Sequence, residues 1–324
     1  MEISVVDQSP IFTNTNADQA IKDSVELAQY SDQIGLKRFW LAEHHGSNSF
    51  AGCSPEILIP RIASSTKNIR VGSGGVMLMH YSPYKVAENF RLLESMFPRR
   101  IDLGLGRAPG SDPFQAGALA YGSKTTGPEF FPTKMNDLRS FLSNQTSETK
   151  SFENVNVTPG LGDVPDTWLL VSSEQGADYA SFFGLPMSLA YFINQDCLHL
   201  AKPYRENFQK SIFGDSPQVS VAVFAICAET NEEANLLASS ASIWRENASK
   251  GIFGPFPTLE EATKKIKDKD KEEGKSIVGD QKYVEGQLMK ILEETNADEL
   301  KIITICESMS SKKESYRLIK EIFS

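Results

Sequence analysis

The stretch ISVVDQSPIFTNTN, residues 3–16, decides between two architectures. Ile3, Val5 and Val6 make a short β-rich run, and the turn-rich segment that begins at Asp7 contains no glycine. An open, doubly wound nucleotide-binding sheet carries a glycine-rich turn directly after its first strand. That turn is missing here, so the choice falls to the pattern that follows.

Working outward, β-rich runs recur at RFWLAE (38–43), IRVGSGGVML (69–78), RIDLGLG (100–106), TWLLVSS (167–173), MSLAYFI (187–193), QVSVAVFAICAE (218–229) and ELKIITICE (299–307). Several are nearly continuous apolar runs, as expected of parallel strands buried on both faces. Helical patterns fill the gaps. Residues 17–35 place Ala20, Ile21, Val25, Ala28 and Ile34 close to one stripe and end at Gly35. SPEILIPRIASSTKN (54–68) and SPYKVAENFRLLESMFP (82–98) open on Ser-Pro, a helix entry. Further helices are expected near 128–143, 174–184, 198–210, 231–248, 280–295 and 311–323. Eight strands alternating with helices predict an α/β fold, a (β/α)8 TIM barrel formed by residues 1–324 as one domain. Three segments exceed a minimal loop: 107–127 after strand four, 143–166, and 249–279 after strand seven. The last contains KKIKDKDKEEGK, which reads as a solvated surface piece. The segment after strand four leaves the functional face and is the better candidate for a lid.

Bulk composition narrows the function. The 324 residues are 40% hydrophobic, enough for a sizeable core, and carry a formal charge of -9. Such a surface repels phosphate backbones, so no nucleic-acid partner is expected, and an anionic ligand requires a local positive site. Cys53, Cys197, Cys227 and Cys306 are scattered and form no CxxC pair, which suits a reducing cytoplasm. No secretory leader or membrane helix is read in the sequence, and no membrane partner is expected.

Barrel sites form at the C-terminal ends of strands. The strand exits present Asp7, Glu43-His44-His45, Met77 to His80, Arg107, Ser172-Ser173, Asn194, Glu229 and Glu307. Adjacent strand residues face opposite ways, so His44 and His45 cannot share a target while the strand stays regular. Small Ala42 suits a position beneath a ligand, which makes His44 the inward residue; two histidines satisfied by backbone bonds is the plain alternative. Alternating His-x-His metal spacing is absent, and no metal site is expected. Gly72, Gly74 and Gly75 suggest either a flat ligand on bare backbone or a bulge. Arg107 fits an anion clamp, or else a surface salt bridge. Ser172 and Ser173 precede a helix with Gly176 in its first turn, giving either a phosphate site or ordinary capping.

Together AEHHG, the block from Gly72 to Gly110 (GSGGVMLMHYSPYKVAENFRLLESMFPRRIDLGLGRAPG) and SSEQGADYASFFGLPM resemble the bacterial luciferase-like flavin monooxygenases, in their homomeric, uncharacterised branch. The resemblance implies a barrel that uses reduced FMN, delivered by a separate flavin reductase, and dioxygen on a small-molecule substrate. It assigns proton transfer to His44, the flavin ring to Gly74 and Gly75, and the phosphate to Arg107, Ser172, Ser173 and Gly176. It places a non-proline cis peptide near Gly74–Gly75 and implies a homodimer through the helices after strands two and three, with Glu88 a candidate interface residue. Two departures stand out: many relatives carry Ser at Gly176, and the reactive cysteine of light-emitting subunits corresponds to Gly106. Two other readings stay open: a deazaflavin-dependent oxidoreductase of the same fold, and a flavin-binding protein without turnover. An aldehyde, a ketone or a sulfur compound would each fit as substrate.

Overall fold

A computed structural model describes residues 1–107, 112–143, 145–160, 162–266 and 276–324. Its strands are β1 (Glu2–Asp7), β2 (Arg38–Leu41), β3 (Arg70–Ser73), β4 (Val76–Met77), β5 (Ile101–Gly106), β6 (Asp166–Val171), β7 (Met187–Ala190), β8 (Val219–Cys227), β9 (Ser276–Gly279) and β10 (Glu299–Ile303). Eight of them close a parallel ring in the order β10-β1-β2-β3-β5-β6-β7-β8, with β8 pairing back onto β10. The fold is a (β/α)8 TIM barrel, as expected. β4 continues the third barrel strand against β5, and β9 pairs with β8 outside the ring.

The helices are α1 (Ala17–Gln33), α2 (Pro55–Ala63), α3 (Pro83–Met96), α4 (Pro113–Ala120), α5 (Phe131–Ser143), α6 (Glu174–Phe183), α7 (Ala201–Asn207), α8 (Asn231–Ser249), α9 (Leu259–Ile266), α10 (Gln281–Thr295) and α11 (Met309–Ile322). Side-chain caps start several of them. Asn16 accepts from the Gln19 N–H at 3.0 Å to open α1, and Asp280 accepts from the Tyr283 N–H at 2.8 Å to open α10. Among the described residues no helix is long and apolar enough to cross a membrane.

Strand alternation divides the core in two. On β8, Val219, Val221 and Val223 face the helices, while Ser220, Ala222 and Phe224 face the lumen. Phe39 and Leu41 likewise pack outward, and Trp40 packs inward against Trp168, their ring centres 5.7 Å apart. The lumen floor, at the N-terminal ends of the strands, is ionic. Arg38 pairs with Asp102 at 2.9 Å and Glu299 at 3.0 Å, and Arg70 with Asp102 at 2.7 Å and Asp166 at 3.0 Å. Lys301 lies just above, 4.0 Å from the Trp40 ring centre and 4.1 Å from that of Trp168.

The strands end earlier than the apolar runs suggest. Regular pairing stops at Leu41, Ala190 and Ile303, with single backbone bonds from Ala42 to Asp7 and from Phe192 to Ala222 beyond two of these ends. The run at 69–78 is two pieces, β3 and β4, joined through a cis Gly74–Gly75 peptide, as the resemblance implies. Segment 107–127 contains α4, while Pro109 and Gly110 lie outside the described residues. Segment 249–279 is not one long loop: it contains α9 and ends in β9. Residues 267–275 of its charged run lie outside the described residues.

Candidate functional site

Two groups of side chains stand at the C-terminal mouth of the barrel. The first follows β5. Arg107 directs Nη2 to the Ser173 hydroxyl oxygen at 2.9 Å and Nη1 to Gln175 Oε1 at 2.8 Å. Ser173 caps α6, its carbonyl accepting from the Gly176 and Ala177 N–H groups at 3.0 and 3.1 Å. Among the described residues Arg107 forms no ion pair with a carboxylate, and burial lowers its pKa, with Tyr179 opposing. The rings of Tyr179 and Phe131 flank it, with centres 5.5 and 5.9 Å from the guanidinium carbon. A cation with no counter-ion among the described residues therefore faces the positive end of a helix. Neither neutralises the other, and an oxyanion between them would satisfy both.

Ser172 sits beside this cluster, its carbonyl held at 2.9 Å by the side-chain amide of Asn194. Gly176 is packed tightly, since a Cβ there would come within 3.1 Å of Val171 Cγ1. The chain thus brings together Arg107, Ser172, Ser173 and Gly176, as the sequence suggests. It adds Gln175, Tyr179 and Phe131, which sequence reading missed. Gln175 and Tyr179 are four apart on α6, so they share a face, and that spacing was the available signal.

The second group follows β2. His44 continues the inward parity of Trp40 and stacks on Phe50, ring centres 4.2 Å apart. Burial, with a contribution from His45, pushes the His44 pKa down to about 4. Its Nδ1 is buried without a hydrogen-bond partner among the described residues. His45 faces the other way, with Nε2 2.7 Å from Oε1 of buried Glu43. The same Oε1 accepts from the Tyr81 hydroxyl at 2.7 Å, and Oε2 accepts from the Met77 N–H at 3.1 Å. Burial, helped by the Glu43 carboxylate, raises the Tyr81 pKa and keeps the phenol protonated. Sequence reading missed Glu43 as an anchor, although its parity with His45 was visible. The two histidines thus divide the work: His45 is fixed to Glu43, and His44 lines the mouth.

β3 and β4 lie between these groups, putting them two strand spacings apart, about 10 Å around the sheet. The glycines there have packing causes of their own. A Cβ on Gly72 would fall 2.4 Å from the Asp102 carbonyl oxygen, and one on Gly75 2.7 Å from that of Gly104. A Cβ on Gly74 would lie 3.1 Å from Trp40 Cβ. Close approach of β5 and of Trp40 therefore accounts for all three. Gly106 differs, because a Cβ there meets nothing nearer than the Val76 carbonyl at 3.8 Å. Two other strand-exit acids are engaged in structural bonds. Asp7 accepts from Ser24 at 2.5 Å, and Glu307 accepts from the side-chain amide of Asn14 at 2.9 Å.

Aromatic rings enclose the mouth beyond His44. Phe50 packs on Trp244 at 5.5 Å and Phe256 at 5.6 Å, and Phe192 packs on Phe224 at 5.4 Å. α4 rests beside the turn after His45, where a Cβ on Gly46 would meet Gln115 at 2.6 Å. Its Phe114 and the adjoining Tyr121 are exposed.

Known proteins resemble this chain along most of its length. The chain is 39% identical to the uncharacterised protein YwcH of Bacillus subtilis (strain 168), an alignment spanning 100% of this chain and 99% of that one. It is 37% identical to the N-acetyl-S-alkylcysteine monooxygenase of the same organism, over 72% of this chain and 70% of that one. The crystal structure of apo-MsnO8 matches with a TM-score of 0.90 and 34% identity, over 99% of this chain and 98% of that one. More distant structures share the fold alone. They include the oxygenating constituent of 3,6-diketocamphane monooxygenase in complex with FMN (TM-score 0.73, 18% identity) and an F420-dependent secondary alcohol dehydrogenase (0.64, 11%). The family model described as luciferase-like monooxygenase matches residues 1–298, and the chain belongs to that family.

Proposed function

We propose that this protein is an FMN-dependent monooxygenase that takes reduced FMN from a separate reductase and oxygenates a small organic substrate. The observation that carries the reading is Arg107, free of any carboxylate among the described residues and set 2.9 Å from the serine that opens α6. A terminal phosphate is the anion that suits a guanidinium fork and helix N–H groups together. Gly106 leaves open the space above β5, and His44 stands two strands away, so an extended molecule with a ring at one end and a phosphate at the other fits the spacing. Reduced flavin supplies the electrons that activate dioxygen. The imidazole of His44 is neutral, and its Nδ1 has no hydrogen-bond partner among the described residues, so it can share the hydrogen bond along which a proton moves to or from the reacting partner. The aromatic wall keeps water from that imidazole, and α4 is placed to complete the cover as a lid.

The same reading includes a homodimer through α2 and α3. It is supported by the exposed Ile57 on α2 and Leu92 and Met96 on α3. Glu88 of α3 ties to Lys85 and Thr158 of its own chain, which favours a surface role for it. The free cysteines, of which only Cys53 is exposed, suit a reducing cytoplasm.

The test is anaerobic titration with reduced FMN and, in parallel, with reduced F420, followed by addition of oxygen. Reduced FMN should bind saturably, and Arg107→Ala should weaken it by about tenfold to a hundredfold, the loss of a charge-assisted contact. The return of the bound flavin to its oxidised spectrum should differ from that of free flavin and change again in His44→Ala. Binding without any change in reoxidation would mark a flavin-storage protein. Binding of F420 in place of FMN would move the protein to deazaflavin chemistry.

A further inference from the structure

Arg245 lies on α8 beside Trp244, and its guanidinium carbon stands 4.5 Å from the centre of the Phe224 ring. Phe224 faces inward on β8 and packs against the lumen cluster with Phe192. Trp244 stacks on Phe256, centres 4.7 Å apart, and meets the edge of Phe50, which carries His44. Arg245 thus belongs to the mouth that His44 lines, on the β8 side. Arg107 is across that mouth on β5, with β6 and β7 between.

What sets Arg245 apart is the lack of polar partners among the described residues. Among the described residues it forms no ion pair and donates no hydrogen bond; its one contact of note is the Phe224 ring. Other sheltered arginines are matched. Arg38 has Asp102 and Glu299, Arg100 has the carbonyls of Ala63, Thr66 and Ile69, and Arg107 has Ser173 and Gln175. Burial pushes the Arg245 pKa down to about 10, with no carboxylate opposing the shift. A guanidinium carries five N–H donors in a planar fork, and no Arg245 nitrogen is among the buried atoms left without a partner, so its edge is open to an anion entering the mouth. The chain's net charge of -9 disfavours anions at long range, so an anionic substrate needs a local cation.

We propose that Arg245 is a specificity-determining residue that receives a carboxylate on the substrate, whose apolar body lies among Phe50, Phe192, Phe224 and Trp244 with its far end toward His44. The carboxylate takes the guanidinium edge, and Phe224 supports the guanidinium face. That this ligand is the molecule oxygenated rests on the monooxygenase reading; the carboxylate site itself does not.

The test titrates the full-length protein with octanoate and with octanamide, its neutral isostere, following tryptophan fluorescence with and without FMN. FMN affinity is measured separately by quenching of flavin fluorescence. Octanoate should bind about tenfold or more tightly than octanamide, as a charge-assisted pair predicts. Arg245→Gln should abolish that preference, Arg245→Lys should keep part of it, and neither should move FMN affinity more than about twofold. Equal affinities in the wild type, an unchanged preference in Arg245→Gln, or binding of neither compound overturns the proposal. So does a loss of FMN affinity in Arg245→Gln, which would give the arginine to the cofactor. An octanoate preference that persists while FMN fails to bind the wild type would defeat the flavin reading and leave the carboxylate site standing.

Discussion

At the scale of the residue, His44 shows how a position fixes a protonation state. The sequence left it free to give or take a proton, since an ordinary imidazole titrates near 6.5. Burial, with a contribution from His45, pushes the pKa down to about 4, so at neutral pH the imidazole is uncharged. This has a consequence for stability. Well above pH 6.5 neither the folded nor the unfolded chain protonates this group, and it adds no pH dependence. As pH falls from there toward 4, the unfolded chain binds a proton that the folded chain refuses, so stability is lost across that window and the loss levels off below it. The full effect is on the order of 3 kcal/mol. Urea denaturation of wild type and His44→Gln between pH 7 and pH 4 should show the variant gaining on the wild type by about that amount. Parallel pH dependence of the two would refute the buried, neutral histidine. Nothing in FWLAEHHG reveals this environment, because Phe50 stacks on His44, and Trp244 packs on Phe50, only in the folded chain.

At the scale of the element, β5 carries two glycines in one motif for different reasons. In IDLGLG, Ile101, Leu103 and Leu105 face the helices, and Asp102, Gly104 and Gly106 face the lumen. A Cβ on Gly104 would sit 2.1 Å from the Ser73 carbonyl oxygen, which is backbone and cannot yield. A Cβ on Gly106 would touch nothing closer than 3.8 Å. Gly104→Ala should therefore destabilise the barrel by about 3 kcal/mol or more, as overpacking against a fixed neighbour does. Gly106→Ala should leave stability within about 1 kcal/mol and weaken reduced FMN binding instead. Denaturation and flavin titration of both variants separate the two roles, and equal loss of stability would defeat the distinction. The sequence showed that side chains are stripped here but not by what, since the carbonyl that excludes a Cβ comes from β3. Arg107 and Ser173 were legible because each stands at a strand exit beside a helix start. Tyr179 and Phe131 were not, because their rings meet Arg107 from a helix face and from α5.

At the scale of the whole molecule, alternation of apolar runs with helical stripes was enough to read the barrel, since each strand is buried on both faces. Strand ends were less legible, because residues such as Ala42 and Thr304 continue an apolar or β-favouring run after pairing has stopped. β9 escaped because it is short and follows a highly charged segment. The ionic floor escaped too, because Arg38, Arg70, Asp102, Asp166, Glu299 and Lys301 are scattered from the second strand to the last, and each alone looks like a solvent-facing charge at a strand start. Closing the ring puts three cations against three carboxylates, with Arg38, Asp102, Glu299 and Lys301 buried and Asp166 open to solvent at the rim. Lys301 depends most on that balance. It is wholly buried, 2.5 Å from the Ser220 hydroxyl and 3.4 Å from Glu299 Oε1, and burial pulls its pKa to about 8 against the opposing pull of Glu299. Lys301→Met removes one cation and leaves the floor with an uncompensated carboxylate, which should cost about 3–5 kcal/mol. Removing the matching charge as well, in Lys301→Met with Glu299→Gln, should restore part of that loss, with a coupling of about 1–3 kcal/mol in the double-mutant cycle. Glu299 also holds Arg38, so full recovery is not expected. Additive losses in the cycle would mean that Lys301 is retained for its packing between Trp40 and Trp168, and that the charges of the floor are balanced locally, pair by pair, and not across the ring.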